Sequence, residues 1–186
     1  FIGGSLTQLG QEWRDKTCEH LSSKLNGKKV EGIDAGLGGT GSEYGSSRFF
    51  RDVMSKEPDI VFIEFAINDK GADELTSKRY MEEMERQSMT ADKQPAIVFL
   101  YAPNPTDSLN DTLEKWENGV KWKTEIAEHY GIKTINIHDY MMRDFNAQKA
   151  QSPSFKLEDY YNDLYHSNGE RSYDVHGGYS KYAEAI

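Results

Sequence analysis

The stretch Asp59-Ile-Val-Phe-Ile-Glu-Phe65 contains the apolar run Ile60-Val-Phe-Ile63. β-Branched and aromatic residues fill it, and such residues favour the pleated, buried surface of a sheet. A short polar turn, Ala66-Ile-Asn-Asp69, follows directly, and a helical pattern covers residues 76–87. We therefore predict a strand, a turn and a helix in succession, which is the repeating unit of an α/β protein.

The same alternation of strand and helix extends in both directions from this stretch. Residues 138–175 interrupt it: they are polar, aromatic and irregular, and we predict a long functional loop with a short helix there. Alternating strands and helices imply βαβ crossovers, which place parallel strands in one sheet with helices on both faces. The predicted fold class is therefore α/β, a single domain over residues 1–186 built as a three-layer α/β/α sandwich around a mostly parallel sheet of about five strands. The other predicted strands cover residues 1–2, 30–35, 95–101 and 132–137, and the other predicted helices cover 11–25, 43–55, 112–130 and the residues from 178 on.

Composition narrows the classes of partner. A chain of 186 residues, 37% hydrophobic and 28% charged, suits one globular domain. The net charge of −9 repels phosphate backbones and anionic lipid, so we expect neither nucleic acid nor a membrane as partner. The single Cys18 excludes an internal disulfide framework and a thiolate-rich metal site. The five histidines show no His-x-x-x-His spacing, so no metal is predicted.

The first residues bear on cellular location. Phe1-Ile2 looks like the stub of a strand, and neither Met nor a visible signal peptide precedes it, which leaves room for a trimmed targeting segment. A secreted or cell-envelope location is favoured over the cytoplasm. The oligomeric state is left open.

Three predicted strands end in turns whose residues could carry chemistry. Ser5 follows the first strand, a glycine-rich run over residues 34–42 follows the second, and Asn68 follows the third. In open α/β sheets, ligands bind outside the carboxyl ends of the strands, so these turns are expected at one edge. Taken singly, Ser5 suits a helix cap and the glycines suit a tight turn. Together with Asp174 and His176, however, they supply a nucleophile, a base, an acid and oxyanion donors, which are the ingredients of acyl transfer.

The order of these blocks resembles that of the SGNH hydrolases, also called GDSL-like lipases/acylhydrolases. Gly3-Gly-Ser-Leu-Thr7 is similar to the first block of that family, with Gly4 in place of its usual Asp, and this form looks like a subgroup related to carbohydrate esterases. Asp34-Ala-Gly-Leu-Gly-Gly39 resembles the second block and Ala66-Ile-Asn-Asp69 the third. Asp174-Val-His176 resembles the last block, so the resemblance runs over the whole chain.

The resemblance implies a flavodoxin-like SGNH fold and a serine esterase that needs no cofactor. Ser5 would be the nucleophile, His176 the base and Asp174 the acid that orients it. The oxyanion would be held by the Gly39 N–H, the Asn68 side chain and the Ser5 N–H. The expected reaction is hydrolysis of a carboxylic ester, with a small-molecule or saccharide ester as substrate and acetyl as the acyl group.

The last block departs from the family pattern. The family usually has Asp-x-x-His followed by Pro, whereas Asp174 lies two residues before His176 and Gly177 follows. Tyr173 occupies the usual position of the acid. The residue that orients His176 is therefore left open between Asp174, Asp163 and Glu170.

Two alternatives from other classes compete with the esterase. Gly36-x-Gly38-x-x-Gly41 matches the dinucleotide fingerprint, and Glu64 lies 23 residues beyond it, near the position of a ribose-binding acid. That interpretation leaves Ser5 and His176 without a role. The second alternative is a non-catalytic carbohydrate-binding module, with sugars stacked on the aromatic stretch 160–166.

Overall fold

The computed structural model describes residues 1–102, 113–157, 159–160 and 179–186. In these residues the sheet has five parallel strands in the order β2-β1-β3-β4-β5. The predicted α/β fold with a parallel sheet of five strands is confirmed. The strands are β1 Ile2–Gly3, β2 Ala35–Gly36, β3 Ile60–Glu64, β4 Ala96–Tyr101 and β5 Lys133–Asn136.

Helices cover both faces of this sheet. None of those described has the length and apolar character needed to cross a bilayer. The helices are α1 Ser5–Gln8, α2 Gln11–Lys24, α3 Ser42–Asp52, α4 Glu74–Met89, α5 Leu113–Tyr130, α6 Ile137–Gln151 and α7 Tyr179–Ala185, with a 3₁₀ turn at Met54–Lys56.

The two central strands are buried on both faces, which explains why their sequence is almost continuously apolar. Successive side chains of a strand point to opposite faces. On one face, Ile63 and Phe99 pack with residues of α3, α4 and α5. On the other face, Phe62 and Leu100 pack with residues of α2, α6 and α7. The result is the predicted three-layer arrangement.

The second strand is shorter than predicted. It was expected over residues 30–35, but β2 contains only Ala35 and Gly36. β2 is an edge strand, and its one neighbour β1 pairs through Ile2 and Gly3 alone. Ahead of β2, the backbone contact continues to residue 33, where the Phe1 amino group donates to the Ile33 carbonyl oxygen at 2.9 Å.

The prediction of a long loop over residues 138–175 is wrong for its first part, because α6 continues to Gln151. Ile137, Met141 and Phe145 recur every four residues and form a buried stripe under the sheet. The Asn136 side chain caps the helix by accepting a hydrogen bond from the Asp139 N–H at 3.1 Å. Tyr140 and Met142 pack beside this stripe, so the helical period was present in the sequence.

Candidate active site

Three turns meet at the carboxyl edge of the sheet because three strands end level. Gly3 of β1 lies opposite Gly36 of β2 and opposite Glu64 of β3. The predicted site residues Ser5, Gly39 and Asn68 follow these strand ends within four positions. This edge is where open α/β sheets bind their ligands.

Ser5 is the first residue of α1, and Gly4 is its N-cap. The serine is half-buried, and its hydroxyl makes no hydrogen bond within the described residues. A Cβ atom at position 4 would overlap Asn68 Oδ1. Glycine at this position thus allows the Asn68 side chain to lie directly beside the residue that precedes Ser5.

The glycine-rich turn that follows β2 also lies against Ser5. A Cβ atom on Gly38 would lie 3.6 Å from Ser5 Cβ, so its backbone is close to the serine. The Gly38 N–H donates to Gln8 Oε1 at 2.8 Å. Gly39 has φ +73°, a left-handed conformation that costs a residue with a Cβ on the order of 1–2 kcal/mol. The Gly39 N–H has no acceptor among the described residues, so it is available to an oxygen bound beside Ser5.

A cleft of about 680 Å³ opens next to Gly39 and Asn68, between the beginnings of α3 and α4. Its wall carries hydroxyl groups, a carboxylate at Glu43 and the half-exposed ring of Tyr44. The Tyr80 hydroxyl donates to Glu43 Oε1 at 3.0 Å, which restrains that carboxylate. A second cavity, of about 660 Å³, lies under the amino ends of the strands and contains none of the predicted site residues.

With this geometry established, comparison with known proteins identifies the family. The model of the GDSL-like lipase/acylhydrolase family matches residues 1–170. The chain belongs to this family. It is accordingly a carboxylic ester hydrolase. No curated protein sequence matches the chain.

Solved structures of esterases share the GDSL-like fold. A two-domain esterase active on acetylated mannans has a TM-score of 0.70 at 24% identity; the match covers 100% of this chain and 46% of that one. An acetyl xylan esterase has a TM-score of 0.67 at 21% identity; the match covers 98% of this chain and 93% of the esterase. An acetyl xylan esterase from Geobacillus stearothermophilus has a TM-score of 0.65 at 15% identity; the match covers 100% of this chain and 90% of that esterase. At such identities the likeness shows the fold.

The structure brings together only part of the predicted site. Ser5, Gly39 and Asn68 converge, whereas Asp174 and His176 lie outside the described residues. The alternative acids Asp163 and Glu170 also lie outside them, and the family match ends at residue 170, before the last block. The part of the GDSL-like chain that is described contains no group of three or more His, Cys, Asp or Glu side chains arranged to hold a metal ion.

One residue of each competing interpretation is buried and already hydrogen-bonded. Glu64 is 1% exposed, and its Oε1 accepts the Ala66 N–H at 3.0 Å, so it cannot contact a ribose. Tyr160, the first aromatic residue of the stretch assigned to sugar stacking, is buried, and its hydroxyl donates to Asp144 at 2.9 Å. The rest of that stretch, residues 161–166, lies outside the described residues.

Sequence reasoning missed a buried group of charges beneath the site. Lys123 of α5 is 1% exposed, and its Nζ lies 3.2 Å from Asp69 Oδ2. The signal was present, because Lys123 falls on the same helical stripe as Trp116, Val120 and Ala127, which face the core. A lysine on a buried stripe needs a partner, and the polar turn after β3 supplies one.

Burial controls the protonation of this group. It raises the pKa of Glu64 to about 8; the nearby Asp69 adds to this, while the hydrogen bond from the Ala66 N–H opposes it. Burial also lowers the pKa of Lys123, and the attraction of Asp69 opposes that change. At neutral pH, Glu64 is therefore mainly protonated. Lys123 Nζ and Asp69 Oδ2 lie within ion-pair distance of each other.

The raised pKa of Glu64 predicts a pH-dependent stability. The unfolded chain releases this proton near the usual value of 4.5, whereas the folded chain keeps it until about pH 8. Between those values the folded state binds more protons, so the free energy of unfolding decreases as pH rises, by up to about 1.4 kcal/mol per pH unit. Glu64→Gln cannot ionise, and it should lose less stability than the wild type between pH 5 and pH 8 in urea unfolding. The matched control is Glu117→Gln, which changes an exposed residue of α5. Equal losses of unfolding free energy in Glu64→Gln and wild type would contradict the prediction.

Proposed function

We propose that this GDSL-like hydrolase is a serine esterase that removes acetyl groups from a saccharide. The observation that carries the proposal is that the Gly38-Gly39 turn lies against Ser5 and the Asn68 side chain against Gly4, next to a polar cleft that Gly39 and Asn68 line. A nucleophile and oxyanion donors must surround one carbonyl group for acyl transfer. The three turns provide such a place at the edge of the sheet.

In the proposed mechanism, Ser5 Oγ attacks the carbonyl carbon while His176 takes the hydroxyl proton. The tetrahedral oxyanion accepts hydrogen bonds from the Gly39 N–H, the Asn68 side-chain N–H and the Ser5 N–H. His176 then gives its proton to the leaving alcohol, and the acyl group stays on Ser5. A water molecule, deprotonated by His176, attacks the acyl carbon; the bond to Ser5 Oγ breaks, His176 returns the proton to Oγ, and the acid is released. Asp174 orients the imidazole and stabilises its charged form.

The end of the chain supports the role of His176. α7 begins three residues after this histidine, and its Tyr182 ring packs against Trp13 with centroids 6.2 Å apart. Trp13 Nε1 in turn donates to the Leu6 carbonyl oxygen at 3.0 Å, next to Ser5. The helix that follows His176 is thus anchored on the same side of the sheet as α1.

The lining of the cleft favours a saccharide over an alkyl chain. Glu43 and the hydroxyl groups of Thr40, Ser47 and Thr76 line it. The Thr40 and Ser47 hydroxyls donate to the Leu37 and Tyr44 carbonyl oxygens, and an alkyl chain would offer no donor to the lone pairs that these groups keep. The hydroxyl groups of a sugar can satisfy them, and the Tyr44 ring offers a flat apolar face for a sugar ring. Three proteins of similar structure are esterases of acetylated mannans or of acetyl xylan, which supports the same choice here.

A saccharide in this cleft predicts a selective effect of Tyr44→Ala. The KM for an acetylated xylo-oligosaccharide should rise about tenfold, equivalent to about 1.4 kcal/mol, with kcat within twofold. The KM for ethyl acetate, which has no sugar ring, should not change. Initial rates measured by release of acetic acid provide both values.

The matched control is Phe50→Ala, because Phe50 is an aromatic residue on the same helix, is 67% exposed and lies outside the cleft. It should leave both KM values unchanged. If Tyr44→Ala and Phe50→Ala behave alike on the saccharide, the cleft is not the sugar site.

A further inference from the structure

Lys123 and Asp69 form a buried ion pair whose presence stability alone does not explain. The Lys123 side chain is 1% exposed and that of Asp69 is 7% exposed. Desolvating two charges offsets much of their attraction, and apolar residues of similar volume often stabilise a core as well or better. Besides the ion pair, Lys123 Nζ makes no hydrogen bond within the described residues. A role in holding the active site is a more economical explanation than a gain in stability.

Asp69 connects the two turns that carry the proposed oxyanion donors. Its Oδ1 accepts the Ser42 N–H at 2.9 Å, at the start of α3 and three residues after Gly39. Its own N–H donates to the Phe65 carbonyl oxygen at 3.0 Å, which closes the turn that contains Asn68. A movement of Asp69 would therefore change the position of Asn68 relative to Gly39.

The other oxygen of Asp69 is the one that needs Lys123. Oδ2 has no hydrogen-bond partner within the described residues, and the ammonium at 3.2 Å is its counter-charge. Glu64 lies close by, with its Oε1 on the Ala66 N–H of the same turn. Without the ammonium, a buried Asp69 carboxylate would face this second acid alone, and it would have to turn towards water or take up a proton. Either change would weaken the hydrogen bond that Asp69 Oδ1 accepts from the Ser42 N–H.

We propose that Lys123 is a positioning residue for ester hydrolysis: it holds Asp69, and through Asp69 it keeps the Gly39 and Asn68 turns in the one arrangement in which both donate to the same oxygen. The proposal rests on the proposed function of Ser5, Gly39 and Asn68. Such donors act only when they lie about 2.7–3.1 Å from the developing oxyanion, so a small shift of one turn lowers the rate. Lys123 itself touches no reacting atom.

The test is Lys123→Met, which keeps an unbranched side chain, one atom shorter, and removes its charge. The kcat for p-nitrophenyl acetate should fall about 10- to 100-fold, with KM changed less than about threefold, because the donors act on the transition state. The inhibition constant of a boronic acid, which forms a tetrahedral adduct with a serine, should rise by a similar factor. A lysine that serves only the fold would lower the unfolding temperature and leave the kcat of the folded enzyme and the boronate affinity unchanged.

Two further variants complete the design. Lys78→Met removes a partly exposed lysine of α4 that pairs with Glu74 and Glu125, and it should keep the wild-type kcat. The double variant Lys123→Met/Asp69→Asn removes both buried charges and retains an oxygen for the Ser42 N–H, so it should recover at least about tenfold in kcat over Lys123→Met. If Lys123→Met does not fold, Lys123→Gln is measured in its place, with a loss of at least fivefold expected.

A folded Lys123→Met or Lys123→Gln enzyme with kcat within threefold of wild type and unchanged boronate affinity would overturn the proposal. Failure of the proposed function gives a different result, since the wild type would then show no ester hydrolysis that depends on Ser5. The activities of the wild type and Ser5→Ala, measured in the same series, separate the two cases.

Discussion

Ser5→Ala should reduce ester hydrolysis by at least about 10⁴-fold while the protein remains folded. In the proposed mechanism, no other group can form the acyl-enzyme, and loss of the serine nucleophile removes the covalent route altogether. The fold should tolerate the change because Ser5 is half-buried and its hydroxyl makes no hydrogen bond within the described residues. Hydrolysis of p-nitrophenyl acetate, together with thermal unfolding, measures both effects.

The matched control for this change is Ser55→Ala. Ser55 is exposed, lies in none of the three turns, and its hydroxyl donates to the Arg51 carbonyl oxygen. It should retain wild-type activity. A folded Ser5→Ala enzyme with activity within tenfold of wild type would exclude Ser5 as the nucleophile.

The second large effect concerns the acid that orients His176. If Asp174 does so, Asp174→Asn should lower kcat by about 10³- to 10⁴-fold, because an amide favours the wrong tautomer of the imidazole. Asp163→Asn and Glu170→Gln should then change kcat less than about threefold. All three variants are compared on one acetyl ester.

The same three variants decide between the open alternatives. A mild effect of Asp174→Asn with a severe effect of Asp163→Asn or Glu170→Gln would assign the role to that other carboxylate. Mild effects in all three would indicate a Ser-His pair in which a backbone carbonyl group orients the histidine. The spacing makes this comparison necessary, since two residues of separation place a carboxylate differently from the usual three.

The fold could be predicted from the sequence because strand and helix alternate with clear periods. The buried strand around Phe62 and the helices on either side of it follow from apolar patterning alone. α6 escaped prediction although Ile137, Met141 and Phe145, with Tyr140 and Met142 beside them, carry an apolar period. The length of β2 could not be predicted, since the extent of a ladder depends on the neighbouring strand and not on the residues of the strand itself.

The candidate site could be predicted as far as its turns, because the carboxyl ends of parallel strands share one edge. The pair of Asp69 and Lys123 could not be inferred from spacing, since 54 residues separate them and only the packing of α5 beside the turn brings them together. The importance of glycine at position 4 was likewise hidden, because it depends on the placement of the Asn68 side chain. Contacts of this kind follow from the tertiary fold and not from a local pattern.

The most direct test of the central claim is to trap the acyl-enzyme step with a phosphonate ester that reacts with activated serines. Wild-type protein is incubated with the reagent, digested, and mapped by mass spectrometry. The mechanism predicts one adduct per chain, located on Ser5, and no adduct in Ser5→Ala under the same conditions. An adduct on a different residue, or full labelling of Ser5→Ala, would contradict the assignment of Ser5 as the nucleophile.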